Sequence, residues 1–263
     1  MSRVAVVTGG SSGIGRCAAL ELKKAGYSVY EISRRENGQD DVTHLRGDVT
    51  DEASLQTAVG TVMEREGRID VVVNCAGFGI SGAVEFTRTE DAKRLFDVNF
   101  FGMVNMNRAV LPVFRRQGSG RIVNISSVAA PISIPFQTYY SASKAAINDY
   151  TMGLANELRP YGITVCAVQP GDIATGFTAA REKSQEGDDV YGGRISRSVA
   201  TMEKDEQNGM TPEAAGRFVA KVAQKRSRKP VYTIGAQYKL FCFLAKILPA
   251  RMLNWLVGLI YAK

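Results

Sequence analysis

The amino-acid sequence predicts a doubly wound α/β fold in which helices cover both faces of a parallel sheet. Short apolar runs alternate with longer amphipathic stretches along the whole chain, and the runs are apolar on both faces of a strand. Strict alternation of this kind is typical of a parallel sheet with crossover helices. The 263 residues contain no internal repeat or low-complexity linker, so we expect a single domain over residues 1–263.

The elements follow one another in a regular order. Strands rich in Val and Ile are predicted at residues 4–8, 28–32, 45–49, 69–74, 121–126, 163–169 and 230–234. Helices are predicted between them at residues 13–25, 52–66, 89–117, 138–159 and 211–224. The second helix is preceded by Thr50 and Asp51, and the fifth begins with Thr211, Pro212 and Glu213, which are signals for a helix N-terminus. Residues 172–210 are polar and irregular, and we expect them to form a substrate lid.

Composition and charge exclude several classes of protein. Hydrophobic residues make up 45% of the chain and charged residues 22%, which is typical of a globular protein and excludes a disordered or collagen-like chain. The apolar residues 4–7 are too short for a signal peptide, and no uncharged apolar run reaches the roughly 18 residues of a membrane-spanning helix. We therefore expect a cytoplasmic protein, attached at most to a membrane face.

The cysteines and the single histidine argue against a metal site. Cys17, Cys75, Cys166 and Cys242 include no Cys-x-x-Cys pair. We expect them to be small buried thiols in a reducing compartment. His44 has no partner at ligand spacing, and we expect it at the surface.

A glycine-rich turn follows the first strand. Glycine lets the backbone approach a pyrophosphate closely, and the N-terminus of the next helix supplies free N–H donors and a partial positive charge. The turn can also be a simple tight turn, but its place after the first strand of an alternating chain favours a dinucleotide site. The residues that we expect to bind it are Gly9, Ser11, Ser12, Gly13, Ile14 and Gly15.

The end of the second strand favours NADP(H) over NAD(H). An NAD-binding enzyme usually carries an acid about 20 residues past the turn, where this chain has Ser33, Arg34 and Arg35. Guanidinium groups pair bidentately with phosphate oxygens, so Arg34 and Arg35 suit a 2′-phosphate. The alternative is that both are solvated loop charges. Glu31 is the rival acid, but it lies inside the predicted strand.

A phenol and an ammonium share one face of the fourth predicted helix. Tyr140 and Lys144 are four residues apart, and a nearby cation favours the phenolate form of a tyrosine. Ser126 and Ser127 stand at the end of the preceding strand, from where a hydroxyl can face this phenol.

These motifs together resemble the short-chain dehydrogenase/reductase family over nearly the whole chain, in particular its hydroxysteroid and retinol dehydrogenase branch. The glycine-rich turn resembles the family's TGxxxGIG turn. The segment beginning at Asn74 resembles the family's Asn-Asn-Ala-Gly segment, with Cys75 in the second place. The resemblance implies a Rossmann-like fold and extends the cofactor site to Asp48, Val49, Asn74, Ala76, Gly77, Tyr140, Lys144, Pro170, Gly171, Ile173 and Thr175.

The same resemblance implies a catalytic tetrad of Asn99, Ser127, Tyr140 and Lys144. Ser127 lies 13 residues before Tyr140, the family's usual spacing, and is therefore preferred to Ser126. In this family Tyr140 would exchange a proton with the substrate oxygen while Ser127 hydrogen-bonds it. Lys144 would lower the pKa of Tyr140 and bind the nicotinamide ribose, and Asn99 would hold a water that links Lys144 to solvent.

The alternative phenol is Tyr139, but the residue four positions after it is Ser143 and not a lysine. Only Tyr140 therefore has a cation at helical spacing.

The segments that flank the substrate pocket in this family are mostly apolar here. They contain Phe78, Phe136 and Phe177 and no obvious arginine for a carboxylate or phosphate. Together with Ser127 and Tyr140, we expect them to bind a small lipophilic ketone or secondary alcohol resembling a hydroxysteroid or retinoid. Some of these side chains can equally be core residues.

Two other functions remain open. One is a reductase of acyl-chain ketones, of the acyl-dihydroxyacetone phosphate or 3-oxoacyl type, which would need cations at the pocket mouth. The other is a catalytically silent cofactor-sensing scaffold, against which the intact tetrad argues. We also expect a homo-oligomer, either a dimer or a tetramer.

The basic charge is concentrated near the C-terminus. Residues 214–263 contain ten Lys or Arg and no acid, whereas the rest of the chain has 23 basic and 26 acidic residues, so general binding of nucleic acid is not expected. Residues 238–263 form an apolar tail that Pro249 divides into two helices. A buried face is predicted at Leu253, Leu256, Val257 and Ile260. Met252, Trp255 and Leu259 need a second partner, which is the active-site mouth, another subunit or an anionic membrane face.

Overall fold

A parallel sheet of seven strands forms the centre of the protein, as predicted. The computed structural model describes residues 2–38 and 42–262. The strands are β1 (Arg3–Thr8), β2 (Tyr27–Ser33), β3 (Thr43–Arg46), β4 (Val71–Asn74), β5 (Ile80–Ser81), β6 (Gly120–Ile125), β7 (Ile163–Gln169), β8 (Glu182–Lys183) and β9 (Val231–Thr233). The sheet order is β3-β2-β1-β4-β6-β7-β9, while the short β5 and β8 pair with each other.

Helices connect the strands and pack on both faces of the sheet. They are α1 (Gly13–Lys24), α2 (Glu52–Glu66), α3 (Thr89–Phe96), α4 (Gly102–Gln117), α5 (Thr138–Glu157), α6 (Phe177–Ala180), α7 (Arg194–Gln207), α8 (Pro212–Ala223), α9 (Ala236–Ile247) and α10 (Ala250–Tyr261). One apolar core joins the sheet to α1 and α8 through side chains such as Leu22 and Val219. A second core on the opposite face joins it to α2, α4 and α5 through Leu55, Val110 and Leu154.

The order of the strands places a crevice above the middle of the sheet. The chain runs from β1 to β2 on one side of β1, and β4 later pairs on its other side. The connections that leave the carboxyl ends of β1 and β4 therefore diverge, and such a switch point is where open α/β sheets bind their ligands.

The third strand lies earlier in the chain than predicted, at Thr43–Arg46 rather than at residues 45–49. The cause is a polar turn. The backbone N–H and the hydroxyl of Thr50 both donate to Asp48 Oδ1, at 2.9 and 2.8 Å. Asp51 then caps α2, as predicted, by accepting from the N–H groups of Ala53 and Ser54.

Two helical regions also differ from the prediction. The helix predicted over residues 89–117 contains a π-helical segment, Asp97–Phe101, between α3 and α4. The stretch expected to be irregular contains α7, whose buried side chains include Ile195, Val199 and Met202. Their spacing of four and three residues is helical, but the polar residues around them hid the pattern.

The C-terminal tail forms two helices divided at Pro249, as predicted. Val257 is buried and Ile260 is 58% exposed, so the predicted buried face is narrower than expected. Within the described residues, no helix is long and apolar enough to cross a membrane.

The helices α1 and α8 cross so closely that one glycine decides their packing. A Cβ atom on Gly216 would lie 2.4 Å from Cys17 Cβ and 2.6 Å from the Cys17 carbonyl carbon. We expect Gly216→Ala to lower the free energy of unfolding by about 1–3 kcal/mol, because the helices must move apart. Urea denaturation measures this change.

The matched control is Gly60→Ala in α2, where an added Cβ meets nothing within 4 Å. This variant should be more stable than the wild type by about 0.5–1 kcal/mol, since alanine favours the helix. Equal effects of the two substitutions would contradict the close packing of α1 and α8.

Candidate active site

An open cleft of about 440 Å³ lies at the carboxyl edge of the sheet. Its walls come from the turn after β1, the segment after β4, the end of β6, α5 and the segment after β7. Many of the residues singled out from the sequence line this one cleft: Gly9, Ser12, Gly13, Ile14, Gly15, Arg35, Ala76, Gly77, Phe78, Ser127, Tyr140, Lys144, Pro170, Gly171, Ile173, Thr175 and Phe177.

The glycine-rich turn accepts no side chain at two of its positions. Gly9 has a φ of +66°, and a Cβ there would lie 2.8 Å from the Cα of Ala76. A Cβ on Gly15 would lie 2.4 Å from the Gly9 carbonyl oxygen. Ser12 is the N-cap of α1 without a capping side-chain hydrogen bond, and the first turn holds no acid. The backbone amides of this turn therefore suit an anion such as a pyrophosphate.

Three predicted side chains meet beside this turn. The Ser127 hydroxyl is hydrogen-bonded to the Tyr140 phenol. Lys144 is 6% exposed, its Nζ donates to the Ile125 carbonyl oxygen at 2.9 Å, and it lies 5.5 Å from the centre of the Tyr140 ring. The ring of Phe177 packs against that of Tyr140, with 5.7 Å between their centres.

The neighbouring serine has a different contact. Ser126 is 2% exposed, and its hydroxyl donates to the Lys144 carbonyl oxygen at 2.9 Å, which ties α5 to the end of β6. The structure thus brings Ser127, rather than Ser126, to the phenol.

Asn99 lies in the π-helical segment and supports the site from behind. Its Nδ2 donates to the Phe78 carbonyl oxygen and its Oδ1 accepts from the Phe78 N–H, both at 2.9 Å. Nδ2 also donates to Ser143 Oγ at 3.3 Å. The side chains of Asn99 and Lys144 both lie close to Gly77. A Cβ atom added to this glycine would be 3.0 Å from Asn99 Oδ1 and 3.8 Å from Lys144 Nζ. A π-helical insertion in a long helix often marks a functional position.

Burial shifts both titratable groups of the site. It raises the pKa of Tyr140 to about 12 and lowers the pKa of Lys144 to about 8. A hydrogen bond from Ser127 and the charge of Arg181 act to lower the pKa of Tyr140. Lys144 Nζ donates to the Ile125 carbonyl oxygen, and its expected effect on the pKa of Tyr140 stays a prediction.

The sequence did not indicate the charged groups that lie around Phe177 and Tyr140 at the cleft. Arg181 is 4% exposed, pairs with Glu206 and lies over the ring of Phe177. Its Nε and Nη1 are buried without a hydrogen-bond partner. Asp172 and Glu206 line the cleft itself. The segments with Phe78, Phe136 and Phe177 contain no arginine, as the sequence indicated, and Arg181 reaches the ring of Phe177 from residues 172–210 instead.

A second buried pair lies at the end of β2. Glu31 is fully buried and pairs with His44 Nδ1, while His44 Nε2 donates to the Arg35 carbonyl oxygen at 3.0 Å. The side chain of His44 is 13% exposed, so its expected place at the surface was wrong. Arg34 and Arg35 are exposed, and Arg35 lines the cleft.

Some residues predicted for the cofactor and substrate lie outside the cleft lining. Asn74 donates from Nδ2 to Asn107 at 2.8 Å and to Asn124 at 2.9 Å, in a buried network between β4, α4 and β6. Phe136 packs edge-on against Tyr191, with 5.5 Å between ring centres, in the small core that contains Ile195 and Val199. The others outside the lining are Ser11, Arg34, Asp48 and Val49, and the predicted catalytic residue Asn99 also lies outside it.

Comparison with known proteins identifies the family. The model of the family described as short chain dehydrogenase matches residues 3–186. The chain belongs to the short-chain dehydrogenase family. As a member it is an oxidoreductase that acts on alcohol or ketone groups, and its fold binds a nicotinamide nucleotide.

Individual relatives extend the likeness along the whole chain. A 3-ketodihydrosphingosine reductase of Bacteroides thetaiotaomicron is 38% identical, over 99% of this chain and 98% of its own. The crystal structure of a short-chain dehydrogenase from Streptomyces avermitilis has a TM-score of 0.82 with 31% identity, over 92% of this chain and 91% of that one. The structure of ElxO with NADP bound has a TM-score of 0.75 with 26% identity, over 91% of this chain and 100% of that one.

The shifted pKa of Lys144 predicts how stability depends on pH. The pKa falls from 10.5 to about 8 on burial, so between these values the unfolded chain holds a proton that the folded chain has lost. Stability therefore rises with pH in this window, and below it the buried charge costs roughly 3 kcal/mol. We expect Lys144→Met to be more stable than the wild type at pH 7, and this gain to shrink by pH 10.

Urea unfolding at several pH values without added nucleotide measures this effect. Lys93→Met, at an exposed position of α3, is the control, and its effect should not vary with pH. A gain for Lys144→Met that stays constant from pH 7 to pH 10 would show that the ammonium is not desolvated.

Proposed function

We propose that the protein is an NADPH-dependent reductase of long-chain lipid ketones, with 3-ketodihydrosphingosine as the representative substrate. The observation that carries this proposal is the 38% identity to a 3-ketodihydrosphingosine reductase along nearly the full length of both chains, which includes the lid and the tail. The acyl-chain ketone alternative is thereby favoured over a hydroxysteroid or retinoid substrate. The apolar ring surfaces of Phe78 and Phe177 on the cleft are consistent with a lipid chain.

In this proposal the side chains of the cleft act on the carbonyl oxygen of the substrate. The bound nicotinamide nucleotide supplies the hydride for the carbonyl carbon. Tyr140, whose pKa of about 12 keeps its proton in place at neutral pH, donates that proton to the oxygen. Ser127 donates a hydrogen bond to the same oxygen and stabilises its developing charge.

Lys144 and Asn99 have supporting roles beside Tyr140. Lys144 retains most of its charge at pH 7, since its pKa is about 8, and lies close enough to stabilise the phenolate that proton transfer leaves. Asn99 holds the backbone of Phe78 in place. Its further role, to hold a water that links Lys144 to solvent, stays a prediction.

The polar groups of the cleft suit the amino-alcohol end of such a substrate. 3-Ketodihydrosphingosine carries an amine and a hydroxyl next to its ketone. Asp172 accepts a hydrogen bond from the Tyr238 hydroxyl at 2.6 Å and forms no ion pair with any described residue. Because Asp172 lines the cleft near Tyr140, its carboxylate is placed to attract a substrate amine.

The preference for NADPH rests on the residues after β2. Arg34 and Arg35 are exposed, whereas the competing acid Glu31 is buried against His44. The hydrogen bond from His44 to the Arg35 carbonyl supports the backbone of Arg35, which lines the cleft. The likeness to ElxO, whose structure has NADP bound, agrees with this preference.

We further propose that residues 172–210 act as a lid and that the chain works as a homo-oligomer, either a dimer or a tetramer. The core of Ala83, Ile195, Val199 and Met202 supports the first part, because it joins α7 to the segment that follows β5.

The cofactor preference can be tested at Arg35. We expect Arg35→Ala to raise the KM for NADPH by about ten- to a hundredfold, the effect of losing one charge-assisted contact with a phosphate, and to leave the KM for NADH unchanged. Arg46→Ala, an exposed arginine on β3 with a side chain 69% exposed, is the control and should affect neither. An equal loss for both nucleotides would show that Arg35 does not bind the 2′-phosphate.

Substrate and proton donor can be tested together by following NADPH oxidation. We expect 3-ketodihydrosphingosine to be reduced with a higher kcat/KM than a steroid ketone, retinal or a 3-oxoacyl thioester. Tyr140→Phe should bind NADPH normally and lose about 10²–10⁴-fold in rate, because general acid catalysis contributes that much. Tyr139→Phe is the matched control and should keep its activity, since Tyr139 does not line the cleft.

Faster turnover of a steroid than of the long-chain ketone would overturn the proposed substrate class. Near-normal turnover by Tyr140→Phe would instead overturn the proposed proton donor, whatever the substrate is.

A further inference from the structure

We propose that the outer face of α9 and α10 binds an anionic lipid surface, so that the tail lies in the plane of a membrane interface. The inference rests on the exposed side chains and charges of the two helices. It holds whether or not the substrate is a lipid ketone.

Both helices expose a continuous apolar stripe. In α9, Leu240, Phe243 and Ile247 follow one another at a spacing of three and four residues and are each more than half exposed. Such spacing places them on one face of the helix. Contiguous apolar surface of this kind on a folded protein indicates an interaction site.

The second helix repeats the pattern. Met252, Trp255 and Leu259 have the same spacing in α10, and Trp255 is 60% exposed. Phe241 and Ile260 add to the exposed apolar surface, while Cys242 and Val257 are buried. The inward side of each helix is therefore packed while the outward side remains apolar.

The two helices are already docked on the body of the protein. The Tyr238 hydroxyl donates to Asp172 at 2.6 Å, and the Tyr261 hydroxyl donates to Asp205 of α7 at 3.2 Å. The exposed stripe is thus not the face by which the tail attaches to its own chain, and its partner must be another surface.

The charge around the stripe decides between a lipid surface and a second copy of the chain. Lys239, Lys246 and Arg251 are exposed among the apolar side chains, and residues 214–262 contain no Asp or Glu. A two-fold interface would place this basic patch against itself, which repels. An anionic lipid surface attracts lysine and arginine at its boundary, and tryptophan is enriched there.

The lengths of the helices favour a position on the membrane rather than across it. Each has 12 residues, which corresponds to about 18 Å, well short of the hydrocarbon thickness. A short apolar face with flanking basic residues is typical of a helix that lies in the interface.

This placement also brings the membrane face close to the cleft. Asp172 both lines the cleft and holds Tyr238 of α9. Asp205, which holds Tyr261 of α10, precedes the cleft residue Glu206. If the proposed function is right, a lipid ketone that leaves the membrane needs to travel only a short distance to reach Tyr140.

The single tryptophan of the chain makes the proposal directly testable. Trp255 lies on the stripe, so its fluorescence reports on this face alone. We expect vesicles of equal parts phosphatidylglycerol and phosphatidylcholine to shift the emission of the full-length protein to shorter wavelength and to sediment with it. Pure phosphatidylcholine vesicles should bind more weakly, and salt should weaken binding to the anionic vesicles.

Variants separate the apolar and the basic contributions. We expect Phe243→Glu combined with Leu259→Glu to weaken sedimentation with anionic vesicles by about tenfold or more, because both charges enter the apolar stripe. Val190→Glu, at a 70% exposed position in the lid, is the control and should bind normally. Lys239→Gln combined with Lys246→Gln should remove much of the preference for anionic lipid. Unchanged thermal unfolding shows that these variants remain folded.

The outcomes distinguish this proposal from its alternatives. No binding to anionic vesicles at low salt overturns it. A second result also overturns it: the wild type does not bind vesicles, and light scattering shows that Phe243→Glu with Leu259→Glu converts an oligomer to a monomer. The stripe is then a subunit interface. Reductase activity on detergent-dispersed ketone is measured in parallel. Binding without activity contradicts only the proposed function, and activity without binding contradicts only the membrane proposal.

Discussion

The close approach of two backbone segments at the centre of the sheet is the constraint on which the rest of the site depends. The turn after β1 passes so near the segment after β4 that a Cβ on Gly9 would collide with the backbone of Ala76. Because β1 and β4 are adjacent and parallel, this contact sets where α1 begins and where the chain leaves β4. The anion-binding amides and the residues Gly77 and Phe78 are therefore held on two sides of one cleft.

Around this cleft the protein buries charged side chains, and neighbouring groups compensate only part of the cost of burying them. Lys144 is nearly fully buried with a carbonyl as its hydrogen-bond partner, and burial holds the Tyr140 proton firmly. Arg181 counteracts the effect of burial on Tyr140, while Glu206 and Asp172 add to it. Such a site is costly for stability, and perturbed groups of this kind cluster where proteins carry out chemistry. The tail is joined to the same charges, since Tyr238 and Tyr261 hydrogen-bond to acids beside the cleft.

The sequence allowed much of this arrangement to be predicted because local patterns mark it. Alternation of Val-rich runs and amphipathic stretches located all seven strands of the sheet, and capping residues such as Asp51 located the start of a helix. Tyr140 and Lys144 were expected on one helical face, and the structure brings Ser127 to them. The prediction was poorer for polar side chains whose hydrogen-bond or ion-pair partners lie far away in the sequence. Asn74 joins a buried network with Asn107 and Asn124, and the partly buried His44 pairs with the buried Glu31.

By itself, the sequence determined the sheet and helix order, the glycine-rich turn and the shared helical face of Tyr140 and Lys144, because each depends on residues within a few turns of one another. The tertiary structure alone decided the environment of the cleft. Arg181 and Glu206 stand 25 residues apart, and only the folding of residues 172–210 pairs them beside Tyr140. The sequence already indicated a second apolar face at Met252, Trp255 and Leu259, whereas only the structure shows that the described residues leave it and the stripe on α9 uncovered. The pairing of buried charges is set by packing between segments that are far apart in the chain, and no local pattern in the sequence predicts it.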